Sequence, residues 1–221
     1  MQALGQITPF SEFGRAIQDV CMRSEVNVCV DIGSWNGLGS TQCIVRALKS
    51  KGAGHVYSFE INDEMFEKSQ QVWKGDSYVT LQKARVAETM MTVTEVSQDR
   101  NYSNIAQANW FPWYSGELTD FEKSSVGTLP DKIDFVIIDG GEFSGRGDWA
   151  AVKTKDPEYV ALDDTFSVKT SQVLHEMIES GEWIVLYDGV DRNGWAILRK
   201  DRLSSVDEVG VSESSETETG E

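Results

Sequence analysis

The sequence predicts an α/β fold: a doubly wound sheet of seven mostly parallel strands, closed by a C-terminal antiparallel hairpin. Three observations carry that prediction. Five short runs, residues 27–33, 55–61, 78–84, 133–139 and 159–163, are apolar on both faces, as strands buried inside a parallel sheet are. Amphipathic stretches separate them, which is the alternation such sheets require, with right-handed crossovers. Finally, runs at 183–187 and 195–198 are joined by residues 188–194, a connection that ends in Asn193 and Gly194 and reads as a hairpin turn.

The elements follow in order. A first helix is expected from Pro9 to about Met22, with Thr8 as its cap and Pro9 in its first turn. After the first strand, Leu38, Thr41, Val45 and Leu48 share one helical face. After the second, Met65, Phe66, Ser69, Val72 and Trp73 share another. Asn62 stands as N-cap there, and Asp63 and Glu64 suit the positive end of the helix dipole. Residues 87–132 are more than one crossover helix needs. Their middle carries Trp110, Phe111, Trp113 and Tyr114 around Pro112, a pattern unlike an ordinary amphipathic helix. Two readings stand open for Trp110, Trp113 and Tyr114. They form a lid that stacks on a substrate and excludes water, or a small apolar cluster beneath a long loop or at an oligomer contact. A late helix carries Leu174, Met177 and Ile178, with Ser167 as candidate cap. Residues 1–200 read as one domain. Residues 201–221, acidic and without aromatics, read as a disordered tail.

Charge narrows the function classes. Thirty-six acids against 20 bases give a net charge of −16, which argues against a nucleic-acid or anionic-membrane partner. No run approaches the roughly 18 apolar residues of a membrane span, and the first ten residues lack the features of a signal peptide. Cys21, Cys29 and Cys43 form no C-x-x-C pair. They read as reduced thiols, and a cytoplasmic location is expected.

One segment carries the chemistry. The first strand runs into Asp31, Gly33, Ser34, Trp35 and Gly37, and a helix follows; glycines at such a turn let backbone and ligand approach. Glu60 ends the next strand, where an acid can accept both hydroxyls of a ribose. The glycine spacing departs from the G-x-G-x-x-G of dinucleotide sites. A carboxylate at Asp31 would repel a pyrophosphate but suit an ammonium. The ligand so described has an amino-acid end and a nucleoside end, as S-adenosylmethionine (SAM) does.

The pattern D-x-G-x-x-x-G, with Glu60 and the terminal hairpin, resembles the class I SAM-dependent methyltransferases over about residues 9–200. That resemblance implies a Rossmann-like methyltransferase fold. It also implies a cofactor site at Asp31, Gly33, Ser34, Trp35, Gly37, Glu60, Ile61 and Asp139, with Arg85 and Val86 beside the adenine. Asp139 ends the fourth strand, and Asp163 and Asp164 end the fifth. These three resemble the Mg²⁺ ligands of metal-dependent O-methyltransferases of the catechol type, and converging carboxylates do need a cation or protons to offset their repulsion. The competing reading makes them turn and cap residues.

The sequence also departs from that type. Glu142 stands where the catechol type has a lysine base, and Gly140 and Gly141 replace its His-Trp. Glu142 is a candidate base or acceptor contact, and equally a surface acid. Lys169 is a candidate positive charge near the acceptor, or a solvated helix lysine. The expected activity is SAM-dependent O-methylation of a small molecule or glycan, with no nucleic-acid or membrane partner. A non-catalytic interaction protein on the same fold is the alternative, and a nicotinamide oxidoreductase suffers from the glycine spacing.

Overall fold

A computed structural model describes residues 7–106 and 109–202. The stretch read as an acidic tail therefore lies outside the described residues, apart from Asp201 and Arg202. The seven strands are β1 (Val28–Ile32), β2 (His55–Phe59), β3 (Val79–Gln82), β4 (Phe135–Ile138), β5 (Tyr159–Asp163), β6 (Trp183–Gly189) and β7 (Trp195–Lys200). They form one sheet in the order β3-β2-β1-β4-β5-β7-β6, in which β7 runs antiparallel to both neighbours. The predicted fold class is the observed one. The order reverses between β1 and β4, and the crevice beyond their carboxyl ends is where open α/β sheets bind ligands.

The period-two alternation of side chains sorts the core into two layers. On one face Cys29, Val56, Phe135, Ile137, Ala161 and Ile197 pack under α1 (Glu12–Cys21) and α2 (Ser40–Lys51). On the other, Val30, Ile32, Val136, Ile138, Val160, Leu162 and Leu198 meet α7 (Gly145–Lys153) and α8 (Ser171–Glu179). The three cysteines are buried free thiols. Among the described residues no helix is long and apolar enough to cross a membrane.

Helix starts follow cap chemistry, and two differ from expectation. The first helix begins at Glu12, because the Ser11 hydroxyl accepts from the Gly14 N–H; Thr8 instead accepts from Ser11 in a preceding turn. Asn62 caps α3 (Asp63–Trp73) as expected, accepting from the Met65 N–H. Ser167 does not cap the late helix. Its hydroxyl donates to the Asp164 carbonyl and accepts from the Lys169 N–H, and α8 starts four residues beyond it.

The long connection holds three helices where the sheet needs one: α4 (Val93–Gln98), α5 (Tyr102–Ala106) and α6 (Trp110–Lys123). A Thr92–Glu95 capping box starts the first of them. The aromatic run is helical after all. Pro112 is the third residue of α6, where its missing N–H would have had no partner in the helix. Met91, Val96, Ile105, Trp110, Tyr114, Phe143 and Val168 make a third apolar cluster beneath this connection.

Candidate active site

Strand register builds the site. Ile32 pairs with Phe59 and with Ile138, and Ile138 pairs with Leu162, so Glu60, Gly33, Asp139 and Asp163 emerge on one row at the carboxyl edge. Gly33 is required there. Its φ is +89°, and a Cβ would meet the Asp139 carbonyl oxygen at 2.1 Å. A cavity of about 640 Å³ opens over this row, within the range of small-ligand sites. Gly33, Ser34, Trp35, Glu60, Ile61, Arg85, Val86, Trp113, Asp139, Glu142, Asp163, Asp164 and Lys169, all named from sequence, line it.

Asp31 and Gly37 do not line it. Asp31 shares the sheet face of Cys29, fully buried under α2, where its Oδ2 accepts from the Thr41 hydroxyl at 2.5 Å. Burial raises its pKa against the hydrogen bonds from Thr41, Ser40 and Ser58. It secures the first turn of α2, and α2 in turn carries the glycine loop. Gly37 makes room for α3: a Cβ would meet Trp73 Nε1 at 2.6 Å, and that indole N–H donates to the Gly37 carbonyl at 3.0 Å.

The wall beside the glycine loop is preorganised. The Glu60 carboxylate accepts from the Trp35 N–H at 2.7 Å and the Asn62 N–H at 2.8 Å, joining the loop to the start of α3. Burial pushes its pKa up to about 6 despite those bonds. Beside it, Ser34 Oγ is buried without a hydrogen-bond partner among the described residues, and α2 begins at Gly39 with no side-chain cap. Both present unsatisfied polar groups at the cavity wall.

The aromatic helix divides between the two readings. Trp110 and Tyr114 belong to the third apolar cluster, with ring centroids 6.0 and 5.1 Å from Phe143, and neither lines the cavity. For these two the lid expectation gives way to core packing. Trp113 is 49% exposed and lines both the main cavity and an adjoining pocket with Asn104, Phe166, Arg192 and Asn193. Glu117, one turn on, accepts from the Glu142 and Phe143 N–H groups at 2.9 Å each, tying α6 to the loop after β4.

The three aspartates converge, with ligand oxygens within 4.8 Å of one another. A cation already stands among them. Lys169 Nζ lies 2.6 Å from Asp139 Oδ1, 2.9 Å from Asp164 Oδ2 and 3.9 Å from Asp163 Oδ2, and Arg192 donates to Asp163 Oδ2 at 2.6 Å. Burial would lower the Lys169 pKa, but the three carboxylates raise it overall. Burial alone would raise Asp164, and Lys169 holds it below the usual range. A dication at about 2.1 Å from these oxygens would overlap the ammonium, so the residues as arranged do not fit Mg²⁺. Glu142 lies nearby with Oε1 buried and without a hydrogen-bond partner among the described residues; burial pushes its pKa up to about 7, against hydrogen bonding from Ser167 and the charge of Lys169.

Three charged residues of the cavity wall were missed from sequence: Arg192, Glu117 and Asp148. Asp148 is buried in α7 and accepts from the Ala87 N–H at 3.0 Å and the Ser144 hydroxyl at 2.9 Å. Its signal was available. Gly145, Asp148, Trp149 and Val152 form one buried helical stripe, in which an acid stands out.

No protein-family model matches the chain, and no curated protein matches it in sequence. Solved structures do match in shape. An SAH-bound methyltransferase of Podospora anserina matches with a TM-score of 0.55 at 10% identity, over 85% of this chain and 77% of that one. A precorrin-6y methyltransferase of Geobacter metallireducens matches with a TM-score of 0.53 at 17% identity, over 90% and 92%. An O-methyltransferase of Streptomyces achromogenes in complex with SAM gives 0.50 at 15% identity, over 85% and 78%. The likeness is one of fold: the chain has the Rossmann-like methyltransferase fold.

Proposed function

We propose that this protein transfers the methyl group of SAM to an oxygen of a small-molecule or glycan acceptor. The observation that carries the reading is the charge of the cavity. Seven acidic side chains against three basic ones line it, at the switch point of the sheet, with Glu60 at the tip of β2. Such a wall suits a sulfonium and an ammonium, and opposes the pyrophosphate of a dinucleotide. The buried, unpartnered Ser34 hydroxyl and the uncapped start of α2 fit the methionine carboxylate. Asp139, which faces the cavity where Asp31 does not, fits its ammonium. Glu60 retains lone pairs for the ribose hydroxyls, and Ile61 with Arg85 and Val86 frames the adenine.

Bound SAM supplies an electrophilic methyl; the chain supplies position and proton transfer. Trp113 offers the acceptor a flat apolar face. Glu142, at the cavity wall, would take the proton of the acceptor hydroxyl as the new C–O bond forms and the S–C bond breaks. A base with a pKa near 7 is matched to that task. Lys169 stabilises the charge that develops on the oxygen. No step passes through a metal.

Calorimetric titration tests the reading. One SAM per chain should bind, and NADH should give no heat. Heat from NADH and none from SAM would sink it. Labelled-methyl transfer to a panel of phenols and sugars then identifies the acceptor class, and a protein that bound SAM but methylated none of them would favour the interaction-protein alternative.

A further inference from the structure

We propose that Lys169 is the resident cation of the carboxylate cluster, closing it to divalent ions and presenting an ammonium donor at the acceptor end of the cavity. Two of its three N–H groups are committed, to Asp139 and Asp164. Asp163, at 3.9 Å, is beyond hydrogen-bond reach, and Arg192 serves it instead. The third ammonium proton has no partner among the described residues, on a side chain that lines the cavity. It is left for an oxygen of the ligand. The three carboxylates thus face two built-in positive charges, and a dication would have to enter beside both.

The lysine is held in place. It is 5% exposed, and its backbone N–H donates to Ser167 Oγ at 3.2 Å. Gly145, the first residue of α7, gives it room: a Cβ there would meet the Lys169 carbonyl oxygen at 2.1 Å and its Cγ at 3.6 Å. Its neighbour Thr170 donates to the Asp163 carbonyl at 2.6 Å, so the segment after β5 is fastened back onto the strand that ends in Asp163. An ammonium locked by its stem does not swing aside for a metal ion. Residues that resemble a metal-ligand set thus form an ion-pair network in which a side chain holds the ion's position.

The inference rests on the methyl-transfer reading only for the words "acceptor end"; the ion experiment needs neither SAM nor acceptor, so the two fail separately. The probe is Mn²⁺ alone, read by electron paramagnetic resonance on the full chain. The wild type should leave the signal unbound up to about 1 mM ion. Lys169→Met keeps the stem and removes the charge. It should bind one Mn²⁺ per chain at least about tenfold more tightly, as removal of a like charge at this range implies, and adding Asp164→Asn should abolish that binding. One Mn²⁺ bound per wild-type chain and lost in Asp164→Asn would overturn the proposal, as would a folded Lys169→Met that gained no affinity. Should Lys169→Met not fold, Lys169→Gln, which also removes the charge but keeps a donor for one carboxylate, replaces it, with the same gain expected and its absence counting against the proposal.

Discussion

Glu117 joins the aromatic helix to the loop after β4, and removing its carboxylate should loosen both. Its two oxygens accept from the N–H groups of Glu142 and Phe143, residues that are 8% and 0% exposed. In Glu117→Ala both donors lose their partners inside the fold. A buried donor left unsatisfied costs roughly 1–3 kcal/mol, and partial access of water brings the pair to about 2–4 kcal/mol. For a chain of this size that corresponds to a fall in melting temperature of roughly 5–15 °C. Glu117→Gln keeps one acceptor oxygen and should fall by about half as much. Gly141→Ala reaches the same contact from the other side, since its Cβ would meet Glu117 Oε1 at 2.1 Å. The assay is thermal melting of the three variants at one pH, beside calorimetry with SAM. The order Ala, then Gln, with Gly141→Ala also destabilised, is the expected result. A Glu117→Ala protein that melted within a degree of the parent would refute the account of α6 as a fixed roof.

On the methyl-transfer reading Glu60→Ala removes the proposed acceptor of both ribose hydroxyls, so SAM affinity should fall at least about tenfold in calorimetry, charge-assisted hydrogen bonds being worth roughly 1.5–3 kcal/mol each. Unchanged affinity would remove Glu60 from the cofactor site. Trp113→Ala should raise the acceptor KM while melting little changed, because Trp113 is half exposed; a loss of the size seen for buried tryptophans, about 3–5 kcal/mol, would return it to the core. Burial raises Glu60 to about 6 and Glu142 and Asp148 to about 7, so the folded chain holds protons that the unfolded chain has already released. Stability should therefore be greater near pH 5 than near pH 8, falling as pH rises through those values, and Asp148→Asn should flatten the slope in pH-dependent denaturation. A profile rising from pH 5 to 8 would contradict the burial of these acids.

Legibility from sequence tracked hydrophobic periodicity. The five inner strands were readable because burial on both faces makes them continuously apolar, and β5 matches its predicted bounds, Tyr159–Asp163. The hairpin strands run past their apolar cores, since Asp188 and Gly189 pair with Ala196 and Trp195 through backbone alone. Thr8 and Ser11 are both cap-forming residues, and only the fold selects the second. Glu60, Asp139 and Asp163 were placed correctly because parallel register puts strand ends on one row. Asp31 failed for a related reason. It lies two residues before that row's Gly33, and its side chain alternates onto the α2 face. The partnership of Lys169 with the aspartates depends on the path of the segment between β5 and α8, and Arg192 lies in a hairpin connection with φ +60°; neither leaves a periodic trace.

The charge layout gives the methyl-transfer reading its internal logic. A cavity wall rich in carboxylates stabilises a sulfonium, but transfer abolishes that positive charge, so uniform negative potential would hold the reactant back. The chain separates the two requirements in space. Glu60 stands just past β2 beside the glycine loop, where the donor would lie, and Asp139, just past β4, stands between the two groups, paired to Lys169 at 2.6 Å. Lys169 and Arg192 stand over the ends of β5 and β7, where the acceptor oxygen would approach. As the S–C bond breaks, charge shifts toward that second group, whose positions are fixed before any ligand arrives. The neutral thioether left behind has lost its attraction to the acidic wall, which favours its release over that of a fresh SAM. A divalent ion among the aspartates would supply stronger polarisation of the oxygen. Lys169 and Arg192 already bring two positive charges to the same three carboxylates, and Lys169 adds a proton that it can donate to the acceptor oxygen.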